Sequence, residues 1–164
     1  MTDHAPSSFD SIAEPSPFAA GPYTEHLARV REHFRSLKPR RALLAELVVH
    51  RLASRSLAAR KFTAGREAKL ASDLVRTLRA VVYASASYAE WSEGLLRLAR
   101  VHAASGATLE HYREFRTVFL QALSELEGSA WTQSGLGESW SVFFDAAMGH
   151  LSRVLFQEQS RAAA

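Results

Sequence analysis

The feature that most constrains this chain is the three- and four-residue spacing of its apolar side chains, which runs from Thr24 almost to the end. In the first such stretch, apolar residues recur at positions 27, 30, 34 and 37. This spacing places them on one face of an α-helix. The sequence lacks stretches of alternating apolar and polar residues bounded by turn residues, the pattern that would predict strands. The body of the chain is therefore predicted to be all-α.

Proline and glycine divide this pattern into successive helices. Pro39 is expected to end the first helix and to lie in the first turn of the second, where proline is tolerated. Gly65 precedes the third helix, Gly106 follows the fourth, and Thr108 is a candidate N-cap for the fifth. The segment GSAWTQSGLG predicts a loop. The main helices are expected at about 24–37, from Pro39 through Leu52, from after Gly65 to the stretch ASAS at 84–87, over the stripe from Trp91 to His102, at about 108–127 and at about 138–159.

The chain divides into an extension and one domain. Residues 1–22 contain four of the five prolines and show no hydrophobic period, so this segment cannot bury enough surface to offset the entropy of ordering it. We expect residues 1–22 to be flexible. The chain of 164 residues is 47% hydrophobic, which is enough for one compact domain, placed at residues 23–160.

Composition argues against several classes of function. Lys and Arg total 20 against 17 Asp and Glu, and the basic residues are dispersed, which is weak support for nucleic-acid binding. The absence of cysteine excludes disulfides, thiolate metal sites and Cys nucleophiles. No signal peptide is recognisable at the amino terminus, and the apolar stretch ALLAELVV is too short to span a bilayer. We expect a cytoplasmic protein with neither nucleic acid nor membrane as partner.

One histidine, His102, falls on an apolar helical stripe with Trp91, Leu95 and Leu98. A histidine in such a position is most often a hydrogen-bonded core residue. A neutral imidazole on a rigid helix is also a suitable axial ligand for haem iron. The other six histidines show no spacing typical of a zinc or di-iron site, and we expect them to be solvated or to cap helices.

The stretch LARVHAASGATLEHYREF, residues 98–115, resembles the proximal region of the globin family. The similarity is greatest to bacterial single-domain haemoglobins and to the globin domain of flavohaemoglobins. It rests on the spacing of Leu98, His102, Gly106, His111 and Tyr112. The stretch SWSVFFDAAMGHL also resembles the final helix of that family, and the resemblance extends over about residues 24–158.

This resemblance implies a globin fold, with about six to eight helices around a pocket for haem b. Under it, His102 matches the iron ligand, and Phe62 matches the aromatic residue that packs flat on the haem. Leu98 matches the apolar contact on the same side as the ligand, and Tyr112 matches the tyrosine beneath the proximal histidine. The implied function is the binding of O2, CO or NO, for storage or sensing.

On the opposite, distal side the chain departs from the family pattern. Leu70 aligns with the residue that faces the gas, Leu74 with the apolar residue one turn later, and Val48 with a position where bacterial globins usually carry tyrosine. A shift of one turn would make Leu74 the distal residue. In either register the pocket is apolar and lacks a hydrogen-bond donor. A hydrogen bond from such a donor to a charged acceptor contributes about 1.5 to 3 kcal/mol. We therefore expect weak oxygen retention relative to CO.

A second departure lies behind the histidine, where flavohaemoglobins place a glutamate and this chain has Leu155, with Glu158 nearly one turn away. The lost carboxylate argues against peroxidase-like chemistry. As an enzyme, the chain would be a nitric oxide dioxygenase or a pseudoperoxidase, and we expect it to need a separate reductase. A haem-free globin-like module for sensing or protein interaction, with a signalling partner, remains the alternative, and the oligomeric state stays open. Candidates to pair with haem propionates are Lys69, Arg66 and Arg100.

Overall fold

The computed structural model describes residues 21–55 and 57–162, except for the side chains of residues 21, 22, 57, 58, 62 and 158–162. This part of the chain is all-helical, which confirms the predicted fold class. Its elements, in order, are α1 (Gly21–Ser36), a 3-10 turn (Lys38–Arg40), α2 (Arg41–Arg55), α3 (Leu57–Thr63), α4 (Glu67–Ala84), α5 (Tyr88–Ala104), α6 (Leu109–Glu127), α7 (Ser129–Gln133) and α8 (Leu136–Ala162).

The ends of the helices follow the proline and glycine signals. Pro39 lies in the 3-10 turn between α1 and α2, so it ends the first helix as predicted, although α2 itself begins at Arg41. Gly65 and Gly106 have φ angles of 72° and 79°, in the left-handed region that glycine enters without strain. At the start of α6, the backbone N–H of Thr108 donates to Nδ1 of His111 at 2.9 Å, which confirms a cap at this position.

The predicted loop over residues 128–137 is wrong in part. Residues Ser129–Gln133 form α7, and α8 already begins at Leu136. The five-residue helix lies between Gly128 and Gly135, both with positive φ, and its Trp131 packs against the main core. Glycine and serine dominate the composition of residues 128–137, which is why a loop was predicted. The packing of Trp131 against the core instead favours a helix. The predicted extension over residues 1–22 lies outside the described residues, apart from the first two positions of α1.

The helices pack in pairs. The helix α8 contacts α1, α5 and α6, while α2 contacts α4 and α6; α4 also contacts α1 and α5. The helix α6 thus joins α2 to α8, and α4 and α5 contact each other, with α4 on α2 and α5 on α8. No described helix is both long enough and apolar enough to cross a lipid bilayer.

An aromatic cluster joins α1, α6 and α8. The fully buried Trp140 of α8 lies 6.4 Å from Phe34 of α1 and 5.3 Å from Phe119 of α6, measured between ring centroids. Phe143 and Phe144, one turn further along α8, complete the cluster. Edge-on and tilted pairs of this kind add about 0.5 to 1.5 kcal/mol each to the burial of the rings. The cluster therefore fixes α8 as the support on which α5 packs.

The helix α5 presents its buried residues Trp91, Leu95 and Ala99 to this support. Trp91 is 6.3 Å from Phe143, between ring centroids, so the amino-terminal half of α5 is held against α8. His102 lies in the last turn of the same helix. Packing of the first half of α5 thus determines where His102 projects.

Candidate functional site

His102 and Tyr112 are in direct contact. The Nδ1 atom of His102 lies 2.8 Å from the phenol oxygen of Tyr112, and the two ring centroids are 5.6 Å apart. One residue is at the end of α5 and the other near the start of α6. The structure thus brings together the two residues that the sequence analysis placed on the proximal side.

The turn between α5 and α6 holds these two residues in place. The carbonyl of His102 accepts hydrogen bonds from the backbone N–H groups of Ser105 and Ala107, at 3.0 and 2.9 Å. Gly106 allows the chain to reverse here because its φ is positive. The cap formed by Thr108 and His111 then starts α6. Because this geometry is local, the position of Tyr112 relative to His102 depends on few long-range contacts.

Burial keeps both groups neutral. It lowers the pKa of His102 from its ordinary value and raises the pKa of Tyr112 to about 12, since a charged form is disfavoured away from water. At neutral pH, Tyr112 is therefore a phenol and His102 an uncharged imidazole. Among the described residues, Tyr112 is the sole hydrogen-bond partner of the His102 side chain. The Nε2 atom is left available to a ligand.

Leu98 lies one turn before His102 on the same face of α5. It is half-buried and belongs to neither of the two clusters of buried residues. Val101, beside His102 in sequence, is 63% exposed. Leu98 and His102 continue the stripe of Trp91 and Leu95 towards the carboxyl end of α5, where this face becomes half-buried.

The three predicted distal residues lie in the layer formed by α2 and α4. Val48 is fully buried in the main core cluster. Leu70 packs in a smaller cluster with Ala45 and Val49 of α2, and Leu74 contacts both clusters. Of the two candidates in α4, Leu74 is thus the one that reaches the centre of the molecule.

The remaining predicted residues are placed as follows. The side chains of Phe62 and Glu158 lie outside the described residues, and Leu155 is buried in α8. Lys69 forms an ion pair with Asp73 at 2.6 Å, and Arg66 and Arg100 have interaction partners as well. All three cations are thus already engaged.

The donor set limits which cofactor this site could hold. Within the described part of the chain, no group of three or more His, Asp or Glu side chains is placed to hold a metal ion. Haem needs one axial protein ligand together with apolar walls, and a neutral imidazole whose Nδ1 is hydrogen-bonded meets the first requirement. Two open clefts lie elsewhere, one beside Arg51 and Trp131 and one beside His50 and Glu67, and the described residues lining them do not include His102. A haem at this site would thus be held through the donor His102, since neither of these two clefts is lined by it.

The role of His33 is not one that its sequence position predicts. The expectation that the other histidines are solvated or cap helices holds for His111 but is wrong for His33, which is only 7% exposed. His33 accepts a hydrogen bond from the indole of Trp140, 107 residues away along the chain. A signal was present, since position 33 lies three residues after Val30, buried on α1, and four before Leu37, buried directly after α1.

Comparison of the chain with protein-family models, with curated proteins and with solved structures gives no match. The all-helical fold and the contact between His102 and Tyr112 are therefore the observations from which a function can be argued.

Proposed function

We propose that this chain is a haem-binding globin that binds a diatomic gas at an iron atom ligated by His102. The observation that carries the proposal is the hydrogen bond of 2.8 Å between His102 Nδ1 and the Tyr112 hydroxyl. A ligating histidine is almost always oriented through its second nitrogen in this way. The two residues also occupy the positions that the globin resemblance assigns to the proximal pair.

The arrangement of the helices supports the same proposal. Globins pack eight helices in pairs around the haem, and the described chain has eight α-helices that pack in pairs. The helix α5, which carries His102, lies between α4 and α8. In this proposal α4 forms the distal wall and α5 the proximal wall.

Haem, when bound, supplies the iron that takes up the gas. The contribution of His102 is a neutral Nε2 held in one orientation. Tyr112 fixes that orientation as a phenol, because its pKa is raised to about 12 by burial. A phenol oxygen is a weaker hydrogen-bond acceptor for the imidazole Nδ1–H than a carboxylate would be. The imidazole is therefore a weaker electron donor to the iron. With Leu155 buried at the position where the resemblance implies a glutamate, the site favours gas binding over cleavage chemistry.

The distal residues give the proposed pocket its selectivity. Val48, Leu70 and Leu74 have no hydrogen-bond donor on their side chains, and α2 and α4 hold them buried or half-buried. A polar ligand such as oxygen gains from a donor, whereas CO depends on one much less. We therefore propose a pocket that retains CO better than oxygen.

Haem titration of the full chain tests this function. The wild-type protein should bind one haem per chain and develop a Soret band, and His102→Ala should lose the band or change it strongly. His111→Ala is the matched control, because His111 lies in the same stretch but is exposed and caps α6. The control should load haem like the wild type.

One observation favours a second function, a haem-free helical module for sensing or interaction: two open clefts on the described surface, beside Arg51 and beside His50, lie away from His102. In that case the wild-type protein would fold stably and remain indifferent to haem. The same titration would select this function, because no Soret band would appear at any haem concentration while thermal unfolding remained cooperative.

A further inference from the structure

A second histidine, His33 of α1, is buried against α8. Its Nδ1 atom lies 2.9 Å from Nε1 of Trp140. An indole nitrogen can only donate a hydrogen bond. Nδ1 of His33 must therefore be the acceptor, and the proton of the neutral ring must reside on Nε2.

The other side of the ring faces charge. Nε2 of His33 lies 3.5 Å from a carboxylate oxygen of Glu127, and Arg40 contacts the same oxygen at 2.7 Å. Arg40 also donates to the carbonyl of Leu126, at 3.1 Å. Among the described residues, Glu127 from α6 and Arg40 from the 3-10 turn are the charged groups that act on the ring, while α8 faces it with the neutral indole.

We propose that His33 is a pH-sensitive link between α1 and α8: the neutral ring accepts the indole N–H of Trp140, and the protonated ring cannot. Protonation places a hydrogen on both ring nitrogens. Two donors, Nδ1–H and the indole N–H, would then face each other at 2.9 Å, so the contact must break. The protonated ring instead pairs with Glu127. Trp140, at the centre of the aromatic cluster, loses its hydrogen-bond partner.

His26 shows why this behaviour is specific to His33. It lies two turns earlier on α1, and its Nδ1 is 3.1 Å from the hydroxyl of Ser139, the residue before Trp140. A hydroxyl both donates and accepts, so this bond survives protonation of the imidazole. The two histidines join the same two helices, yet acid is expected to break one link and leave the other.

The balance of forces on His33 sets the direction of the switch. Burial lowers the pKa of His33, and the nearby carboxylate of Glu127 opposes this in part. The net shift is downward, so the link is closed at neutral pH. It opens only when the pH falls below the ordinary histidine range, near 6.5.

Nuclear magnetic resonance of the full-length 15N-labelled chain tests the proposal. The indole N–H resonance of Trp140, assigned with Trp140→Phe, is followed from about pH 7.5 to about pH 5. It should shift with a single midpoint that lies below the ordinary histidine range. In His33→Gln the amide oxygen accepts the same bond without titrating, so the shift should disappear. The matched variant His26→Gln should keep it.

Four results would overturn the proposal: an indole resonance that stays constant down to about pH 5, a shift that persists in His33→Gln, a shift that disappears in His26→Gln, or a neutral His33 ring protonated on Nδ1. The last result needs only the wild-type protein, because the 15N shifts of the imidazole report which nitrogen carries the proton. It therefore decides the matter even if His33→Gln does not fold.

Discussion

Replacing Tyr112 by phenylalanine removes one hydroxyl and leaves the ring in place. The hydroxyl bonds to Nδ1 of His102 at 2.8 Å and, among the described residues, to no other group. A hydrogen bond between neutral groups contributes about 0.5 to 1.5 kcal/mol to stability. His102 is half-buried, so water can replace part of the bond. We therefore expect Tyr112→Phe to lower the free energy of unfolding of the haem-free chain by about 0.5 to 1 kcal/mol.

A double-mutant cycle isolates this bond from the rest of each side chain. His102→Ala alone loses packing as well as the bond, whereas Tyr112→Phe in the His102→Ala background loses neither. The coupling free energy measured by urea unfolding should be about 0.5 to 1 kcal/mol. Tyr83→Phe is the control: its hydroxyl accepts from Arg41 at 3.0 Å, so its coupling to His102 should be zero. A Tyr112 coupling below about 0.3 kcal/mol, the usual error of additivity, would refute the contact.

Three further changes have clear expected outcomes. Phe119→Ala opens a cavity in the fully buried aromatic cluster and should cost about 3 to 5 kcal/mol in urea unfolding; a loss under about 1 kcal/mol would contradict the packing. In Gly106→Ala the new side chain would meet no neighbouring atom, but the backbone φ of 79° is strained for alanine, so the free energy of unfolding should fall by about 1 to 2 kcal/mol. In Gly94→Ala, inside α5 with open space around it, the free energy of unfolding should rise by up to about 1 kcal/mol. A change of the same sign in both variants would be inconsistent with this account. Burial lowers the pKa of His33 and of His150, so the unfolded chain binds protons more readily than the folded one. Stability should be full above the ordinary histidine value of 6.5 and fall as the pH drops below it; a melting temperature that rises on acidification over this range would contradict the assignment.

The helices were largely predictable because their signals are local. Apolar spacing, Pro39, Gly65 and Gly106 act within one or two helical turns, and the structure follows them. The helix α7 was not predictable in this way, since it depends on Trp131 packing against a core formed by distant parts of the chain. Local composition carries no information about that contact.

The same distinction applies to the candidate site. The contact of His102 with Tyr112 spans only ten residues and one turn, and the globin resemblance, rather than the spacing of the residues, led us to expect the two side chains together. Which of Leu70 and Leu74 reaches the centre depends on the rotation of α4 against α2, a long-range property that spacing leaves open. The burial of His33 likewise depends on Trp140 in another helix, and a stripe on α1 alone does not reveal it.

The most direct test of the central claim, that Nε2 of His102 ligates haem iron, is resonance Raman spectroscopy of the ferrous, haem-loaded chain. The wild-type protein should show an iron–imidazole stretching mode. His102→Gly should lose this mode, and added free imidazole should restore it by filling the vacated space beside Tyr112. Persistence of the mode in His102→Gly without added imidazole, or failure of the wild-type protein to take up haem, would contradict the account.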